Sequence, residues 1–193
     1  ADVSVRPAIP EDADAVTRLQ VRAWRSAHAA ALGEGALERL DVAVMRERWA
    51  AAISEPPSRD HLVLVACAGP RVVGVATSVP VPGEEPGIEV AALEVDPDHQ
   101  RQGHGSRLLA ACVANQYRKS FQGCDSAVQL SLSYTDAAVI DVGRRHATQL
   151  PEAIAKELAG LNVGGITKPR VVESGVSMLA VCAKSAAEDT TFI

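Results

Sequence analysis

Residues 93–113 read LEVDPDHQRQGHGSRLLAACV, and they contain the strongest structural signal in the chain. A β-rich run over residues 88–95 ends at Asp96-Pro97, because Pro97 has no N–H with which to continue a strand ladder. A short polar loop with glycines at 103 and 105 follows. Apolar residues then recur at the spacing of one helix face: Leu108, Leu109, Cys112 and Val113. The stretch therefore predicts a strand, a glycine loop and a helix.

The loop and the start of the following helix have the chemistry of an anion site. Glycine lets the backbone approach a ligand closely, and the free N–H groups and dipole of a helix's first turn favour a negative charge. Arg101 and Arg107 add positive charge beside the loop. The spacing matches neither Gly-x-Gly-x-x-Gly nor a Walker loop. The prediction is a phosphate or pyrophosphate cradle, with an ordinary strand-to-helix turn as the alternative.

Residues 100–105, QRQGHG, resemble the acetyl-CoA pyrophosphate loop of the GNAT N-acetyltransferase superfamily, Gln/Arg-x-x-Gly-x-Gly/Ala. The preceding LEVDP and the following Leu108-Leu109 are similar to the frame of that motif. The resemblance implies that acetyl-CoA binds here, with backbone groups of Leu93 and Val95 holding the pantetheine arm like an added strand. The residues that it assigns to the pyrophosphate are Gln100, Arg101, Gln102, Gly103, His104, Gly105 and Ser106.

The pattern before the loop predicts the element order β-α-α-β-β-β-α over residues 3–113, the part that the resemblance covers. Strands are expected at 3–6, 61–67, 71–79 and 88–95, and helices at 11–30 and 36–53. The predicted fold class is α/β (α+β). It is a GNAT-like mixed, mostly antiparallel sheet flanked by helices, with an atypical C-terminal third.

The acetyl transfer that the resemblance implies requires a base, because only a neutral amine attacks a thioester. A carboxylate on the fourth strand commonly serves in the family, and Glu89 and Glu94 are the candidates. Five positions apart, they face opposite sides of a regular strand unless a bulge intervenes, as we expect in this fold. We predict Glu89 as the base from the frame EVAALEV; a solvated strand glutamate is the alternative. Two interpretations are open for Trp24 and His28. Either both line the acceptor pocket, or Trp24 packs in the core and His28 is exposed to solvent.

Composition sets limits on function. The 193 residues suit one domain or two small ones, and a hydrophobic content of 47% is enough for a core. A formal net charge of −5 argues against a nucleic-acid partner. No apolar run approaches the roughly 20 residues of a membrane span. The start, Ala1-Asp2-Val3, is not a signal peptide as it stands, so with acetyl-CoA as cofactor a cytoplasmic location is expected.

Four cysteines occur, at 67, 112, 124 and 182. They show no Cys-x-x-Cys spacing, which argues against zinc, and we predict no metal site. Cys67 and Cys112 lie in apolar patterns and are expected to be small core residues. Cys124 and Cys182 are either paired or free.

After residue 113 the GNAT pattern is not continued. The tyrosine that often protonates the departing thiolate is missing, since the nearest alignment places Val142 there and leaves Tyr117 and Tyr134 out of frame. Residues 115–185 instead resemble the end of parvulin-type prolyl isomerase domains, in a Leu-Pro helix, a Leu-x-Val-Gly-x-Ile-x-x-Pro turn and a last strand. Alternatively, this part completes the sheet, with a fifth strand at 127–134, a helix at 150–161 and strands at 171–181.

These observations predict a GNAT-like acetyl-CoA-binding core at 1–113 and an atypical C-terminal segment at 114–193. The expected activity is acetyl-CoA-dependent N-acetylation of an amine. The alternatives are a prolyl isomerase or chaperone-like folding factor and a non-catalytic acetyl-CoA-binding protein. The expected partner is a small-molecule or peptide amine, with no nucleic acid and no membrane, and the resemblance also implies a homodimer.

Overall fold

The structure is a computed structural model that describes residues 3–83 and 87–185, apart from the side chains of Leu32 and Glu34. It divides into two compact units. The first comprises Ala1–Val113 with Arg170–Val176, and the second comprises Ala114–Pro169 with Ser177–Ile193. In the described part of the chain, no helix is long and apolar enough to cross a membrane.

The first unit is a sheet covered by helices. Its strands are β1 (Val3–Pro7), β2 (Leu62–Ala68), β3 (Arg71–Val81) and β4 (Gly87–Val95). Its helices are α1 (Ala13–Ala27), α2 (Ala29–Leu32), α3 (Glu34–Glu38), α4 (Val42–Ser54) and the start of α5 (His104–Ser120). The four strands pair antiparallel in the order β1-β2-β3-β4. The predicted fold class is confirmed.

The sheet is buried on both faces in its middle. On one face, Val65 and Val75 pack against α1 and α4. On the other, Leu64 and Ala76 pack against α5, where Leu108 is fully buried. Burial on two faces explains why β2 and β3 read as nearly continuous apolar runs rather than as alternating ones.

The start of α1 is tied to β1 by a carboxylate. Arg6 donates to both oxygens of Asp12, at 2.6 and 2.9 Å, and the Ile9 amide donates to one of them at 2.9 Å. The hydrogen bonds from Arg6 hold the pKa of Asp12 below its ordinary value. This contact fixes where the first helix enters the sheet.

The remaining elements are short. They are α6 (Cys124–Ser131), α7 (Glu152–Gly160), β5 (Arg170–Val172) and β6 (Gly175–Ser177). In the second unit, a disulfide joins Cys124 to Cys182 across 58 residues. The Tyr117 hydroxyl donates to the Ala127 carbonyl at 2.9 Å.

The predicted fifth strand at 127–134 is wrong, because most of this segment belongs to α6. In the structure Ala127 and Ser131, four residues apart, are buried together on one helical face, whereas Val128 and Leu132 are exposed. The predicted helix at 150–161 is present as α7, and the predicted last strands shorten to β5 and β6.

Candidate active site

The turn from β4 into α5 has an unusual backbone. Arg101 has a φ of 62° and Gly103 a φ of 81°, both in the left-handed region. For Arg101 this conformation is costly, and such strain concentrates at functional loops. Helix α5 begins at His104, so the N–H groups of Gly105 and Ser106 lie in a first turn that offers them no acceptor inside the helix. The loop therefore presents backbone donors at the positive end of a 17-residue helix.

Asp96 connects this loop to the rest of the first unit. Its buried carboxylate accepts from the Asp98 amide at 3.0 Å and contacts His99 Nδ1 at 3.4 Å. Its other oxygen lies 3.4 Å from Arg22 and 3.7 Å from Arg71. Arg22 also donates to Asp98 at 2.6 Å, and this hydrogen bond lowers the pKa of Asp98. The loop is thus held against α1 and β3.

The free edge of β4 can accept an extended chain. The Asp96 amide donates to the Val73 carbonyl at 2.9 Å, so this amide faces β3. Because backbone groups alternate along a strand, those of Leu93 and Val95 face away from β3. The Gln100 side chain donates to the Val95 carbonyl at 3.2 Å from that outer side. An extended chain with amide groups can pair with this edge.

Two further groups complete the loop. Arg107 donates to the Gln102 carbonyl at 2.9 Å, and its Nη1 lies 2.8 Å from the position that a Cβ on Gly103 would take. His104 is buried, and its Nδ1 has no hydrogen-bond partner in the described part of the protein. Burial, with Arg107 and His99 nearby, lowers the pKa of His104. Free backbone donors, a glycine in the left-handed backbone conformation and nearby arginines fit a diphosphate.

A carboxylate on β4, that of Glu94, is held by one tryptophan and one glutamine of α1. Oε1 of Glu94 accepts from Trp24 Nε1 at 2.9 Å and from Gln20 Nε2 at 3.1 Å. Gln20 Oε1 in turn accepts from Trp49 Nε1 at 2.9 Å. Oε2 of Glu94 is buried and has no partner among the described residues. A carboxylate oxygen in this state accepts the next donor that reaches it, because an unpaired buried acceptor costs about 1–3 kcal/mol.

The second candidate, Glu89, is in a different environment. It is exposed on β4 opposite Val79, and no described residue forms a hydrogen bond or ion pair with it. The bulge that we expected in β4 is present: the register passes from Thr77↔Ala92 to Ser78↔Val90, so Ala91 is an extra residue. His28 is exposed, and Trp24 is half-buried against Glu94.

Sequence reasoning missed Gln20, Trp49 and Arg22. A signal for Gln20 existed, because it lies one helical turn before Trp24 and so shares its face. Nothing local linked Trp49 or Arg22 to residues that follow much later in the chain. Tyr117, one of the two tyrosines, donates its hydroxyl to the Ala127 carbonyl. Within residues 3–83 and 87–185, no cluster of His, Cys, Asp and Glu is placed to hold a metal ion.

Comparison with protein families gives one match: residues 17–146 fit the model of the acetyltransferase (GNAT) family. This match includes the loop and extends beyond residue 113, where the resemblance in sequence had ended. No curated protein matches the chain, and no comparison supports the parvulin resemblance.

The chain is similar to several solved acetyltransferases. The PaiA N-acetyltransferase of Thermoplasma acidophilum, in complex with coenzyme A, is 19% identical with a TM-score of 0.52, over 62% of this chain and 75% of that one. A GNAT family acetyltransferase from Brucella melitensis, in complex with acetyl-CoA, is 23% identical with a TM-score of 0.44, over 64% and 73%. An aminoglycoside acetyltransferase from an uncultured soil metagenomic sample, in complex with sisomicin, is 20% identical with a TM-score of 0.45, over 75% and 94%.

Proposed function

This chain belongs to the acetyltransferase (GNAT) family and is an acetyl-CoA-dependent N-acetyltransferase, and we propose that Glu94 is the base that deprotonates its acceptor amine. Residues 100–106 hold the pyrophosphate in this proposal, and the outer edge of β4 at Leu93 and Val95 holds the pantetheine arm. The observation that carries it is the hydrogen-bonded, half-satisfied carboxylate of Glu94.

The residues around Glu94 give it the features of a base. Trp24 and Gln20 occupy one oxygen and fix the plane of the carboxylate. The other oxygen is buried and has no partner among the described residues, so its lone pairs are available to a donor that reaches it. An ammonium group is such a donor, and transfer of its proton to Glu94 leaves the neutral nitrogen that attack on a carbonyl requires.

The transfer forms one bond to the acetyl carbon and breaks another. Acetyl-CoA supplies an acetyl group activated as a thioester. The neutral nitrogen forms a bond to the acetyl carbon, and the bond from that carbon to sulfur breaks. One ammonium and one thioester thus become one amide, one thiol and one proton, and that proton leaves through Glu94 to solvent.

The test is a graded series of variants. We expect Glu94→Gln to lower kcat by about 10²–10⁴, the usual contribution of a general base. Trp24→Phe removes one hydrogen bond to the carboxylate and should have a smaller effect. Trp49→Phe acts one step further away, through Gln20, and should have the smallest. The measurement is thiol release from acetyl-CoA with small amines.

Glu89→Gln tests the original prediction in the same assay. If it, rather than Glu94→Gln, causes the large fall in kcat, Glu89 is the base. Calorimetric titration with acetyl-CoA separates catalysis from binding, because Glu94→Gln should still bind. A chain that binds acetyl-CoA and acetylates no amine would instead be a non-catalytic binding protein.

The loop assignment has its own test. Gly103→Ala forces a side chain into a left-handed conformation, at about 1–2 kcal/mol, and places a Cβ against Arg107. We expect a roughly tenfold weaker affinity for coenzyme A. Gly160→Ala is the matched control, because a Cβ there meets open space. Equal affinity in both variants would refute the assignment of the loop.

The proposal includes a cytoplasmic location and a homodimer. The use of acetyl-CoA favours a location in the cytoplasm. A disulfide such as that between Cys124 and Cys182 is rare in that compartment. Mass spectrometry of alkylated protein from intact cells would show whether this disulfide forms there. The homodimer is tested by sedimentation at several concentrations.

A further inference from the structure

The bulge at Ala91 changes which residues of β4 share a face. Glu94 lies opposite Val75 of β3, and Glu89 lies opposite Val79. Val75 and Val79 are four residues apart on one strand and so point to the same side. Glu89 and Glu94 therefore also point to the same side, although five positions separate them. A regular strand would have placed them on opposite sides.

The surface between the two carboxylates is small and uncharged. On β4 it is formed by Ala92, and on β3 by the paired Thr77, both half-buried. Five residues of strand span about 16 Å between Cα atoms, and the bulge shortens this distance somewhat. The face is a strip with one carboxylate at each end and small side chains along its length.

The two carboxylates differ in what holds them. Glu94 is fixed by Trp24 and Gln20 and keeps one buried oxygen without a partner. Glu89 is exposed and has no cationic partner among the described residues. A cation can therefore bind at Glu89 from solvent, and at Glu94 it has no existing ion pair or hydrogen bond of Oε2 to replace.

We propose that the acceptor is a linear aliphatic amine with at least two ammonium groups, an inference that rests on the proposed function. One ammonium gives its proton to Glu94 and is acetylated as described above. The second stays charged beside Glu89. The methylene chain between them lies over Ala92 and Thr77, where small side chains leave room for it.

Two physical consequences follow. A monoamine reaches only Glu94, so a diamine of suitable length gains the attraction of Glu89. Because Glu89 is exposed, that gain is modest, about two- to fivefold in kcat/KM. It also falls as salt is added, because ions screen exposed charges. A diamine too short to span the strip should behave like a monoamine.

The experiment compares diaminopropane, diaminobutane, diaminooctane and diaminododecane with the alkylamines of equal length. We expect kcat/KM for the diamines to pass through an optimum in length, about two- to fivefold above the matched monoamine. Glu89→Gln should remove this advantage mainly through KM, and high salt should remove it from the unmodified protein. Glu47→Gln, which removes an exposed glutamate from α4, is the control for net charge and should keep the advantage.

Equal kcat/KM for diamines and monoamines at every length would overturn the inference while leaving the transferase activity standing. A fall in kcat with all amines in Glu89→Gln would overturn it too, since Glu89 would then be the base. If no amine is acetylated, calorimetry with diaminooctane and octylamine decides. If diaminooctane binds more tightly than octylamine, and Glu89→Gln removes the difference, the two carboxylates bind the two ammonium groups even though the proposed function fails. Equal binding of the two amines refutes the inference.

Discussion

The first unit has a core of valines and leucines buried on both faces of a sheet, whereas the second unit contains the most exposed large apolar side chains among the described residues. Val65, Val73, Val75 and Leu108 are fully buried. In the second unit, Leu132 and Ile140 are 72% and 78% exposed, and the disulfide closes a long stretch of chain. The difference teaches that one chain can use two sources of stability: apolar burial where the sequence pattern is regular, and a covalent bond where it is not.

The largest expected effect tests burial in the first unit. Leu108→Ala removes a fully buried side chain between α5 and the sheet and should cost about 2–5 kcal/mol of unfolding free energy. Leu132→Ala, on an exposed side chain of the second unit, should stay within about 0.5 kcal/mol. Urea unfolding of both variants measures the contrast. Similar losses in the two would contradict it.

The disulfide provides the next largest effect. Replacing Cys124 and Cys182 with serine removes a closure over 58 residues and should cost the second unit about 2–4 kcal/mol. Hydrogen exchange should show faster exchange in α6 and α7, while β2 and β3 stay protected. Reduction of the unmodified protein is the matched comparison. Unchanged protection in α6 and α7 would show that the second unit is held by packing.

A smaller effect concerns the ion pair at the start of α1. Asp12→Asn weakens the bonds from Arg6 and Ile9 and should cost about 1–3 kcal/mol, whereas Asp14→Asn, in an exposed pair, should cost less than about 1 kcal/mol. The pKa of Asp12 is lowered on folding. Its contribution is therefore present above the unfolded pKa of about 3.9 and lost as the pH falls through the folded pKa. We measure the free energy of unfolding from about pH 6, where this contribution is complete, to about pH 2, where it is lost. The free energy should fall less over this range in Asp12→Asn than in the unmodified protein.

The smallest effect is a pH dependence at the loop. Burial lowers the pKa of His104, so its contribution to stability is full above the ordinary pKa of about 6.5 and is lost as the pH falls through the folded pKa. Arg107 and His99 face the ring and add to the cost of its protonation. His104→Leu should lose less stability than the unmodified protein on going from neutral to mildly acidic buffer. His28→Gln, at an exposed position, should keep the full loss.

Much of the fold could be predicted because its signals are local. The run into Asp96-Pro97, the glycines at 103 and 105 and the apolar spacing after them predict the strand, loop and helix that the structure contains. Segment 127–134 could not be predicted this way. Its alternating pattern suits a strand, but burial of Ala127 and Ser131 together favours a helix, and burial depends on the rest of the fold.

The candidate site divides in the same way. The family resemblance, the loop at 100–106 and the pair Glu89 and Glu94 could be read from the sequence, because they depend on residue type and spacing along a short stretch. Which glutamate is held by hydrogen bonds, and that both point to one side, follows from contacts that form only in the folded chain. Gln20, Trp24 and Trp49 reach Glu94 from helices far away in the chain, and one extra residue in a strand reverses the side chains beyond it. Contacts between distant elements and the register of a bulge arise only when the whole chain is packed.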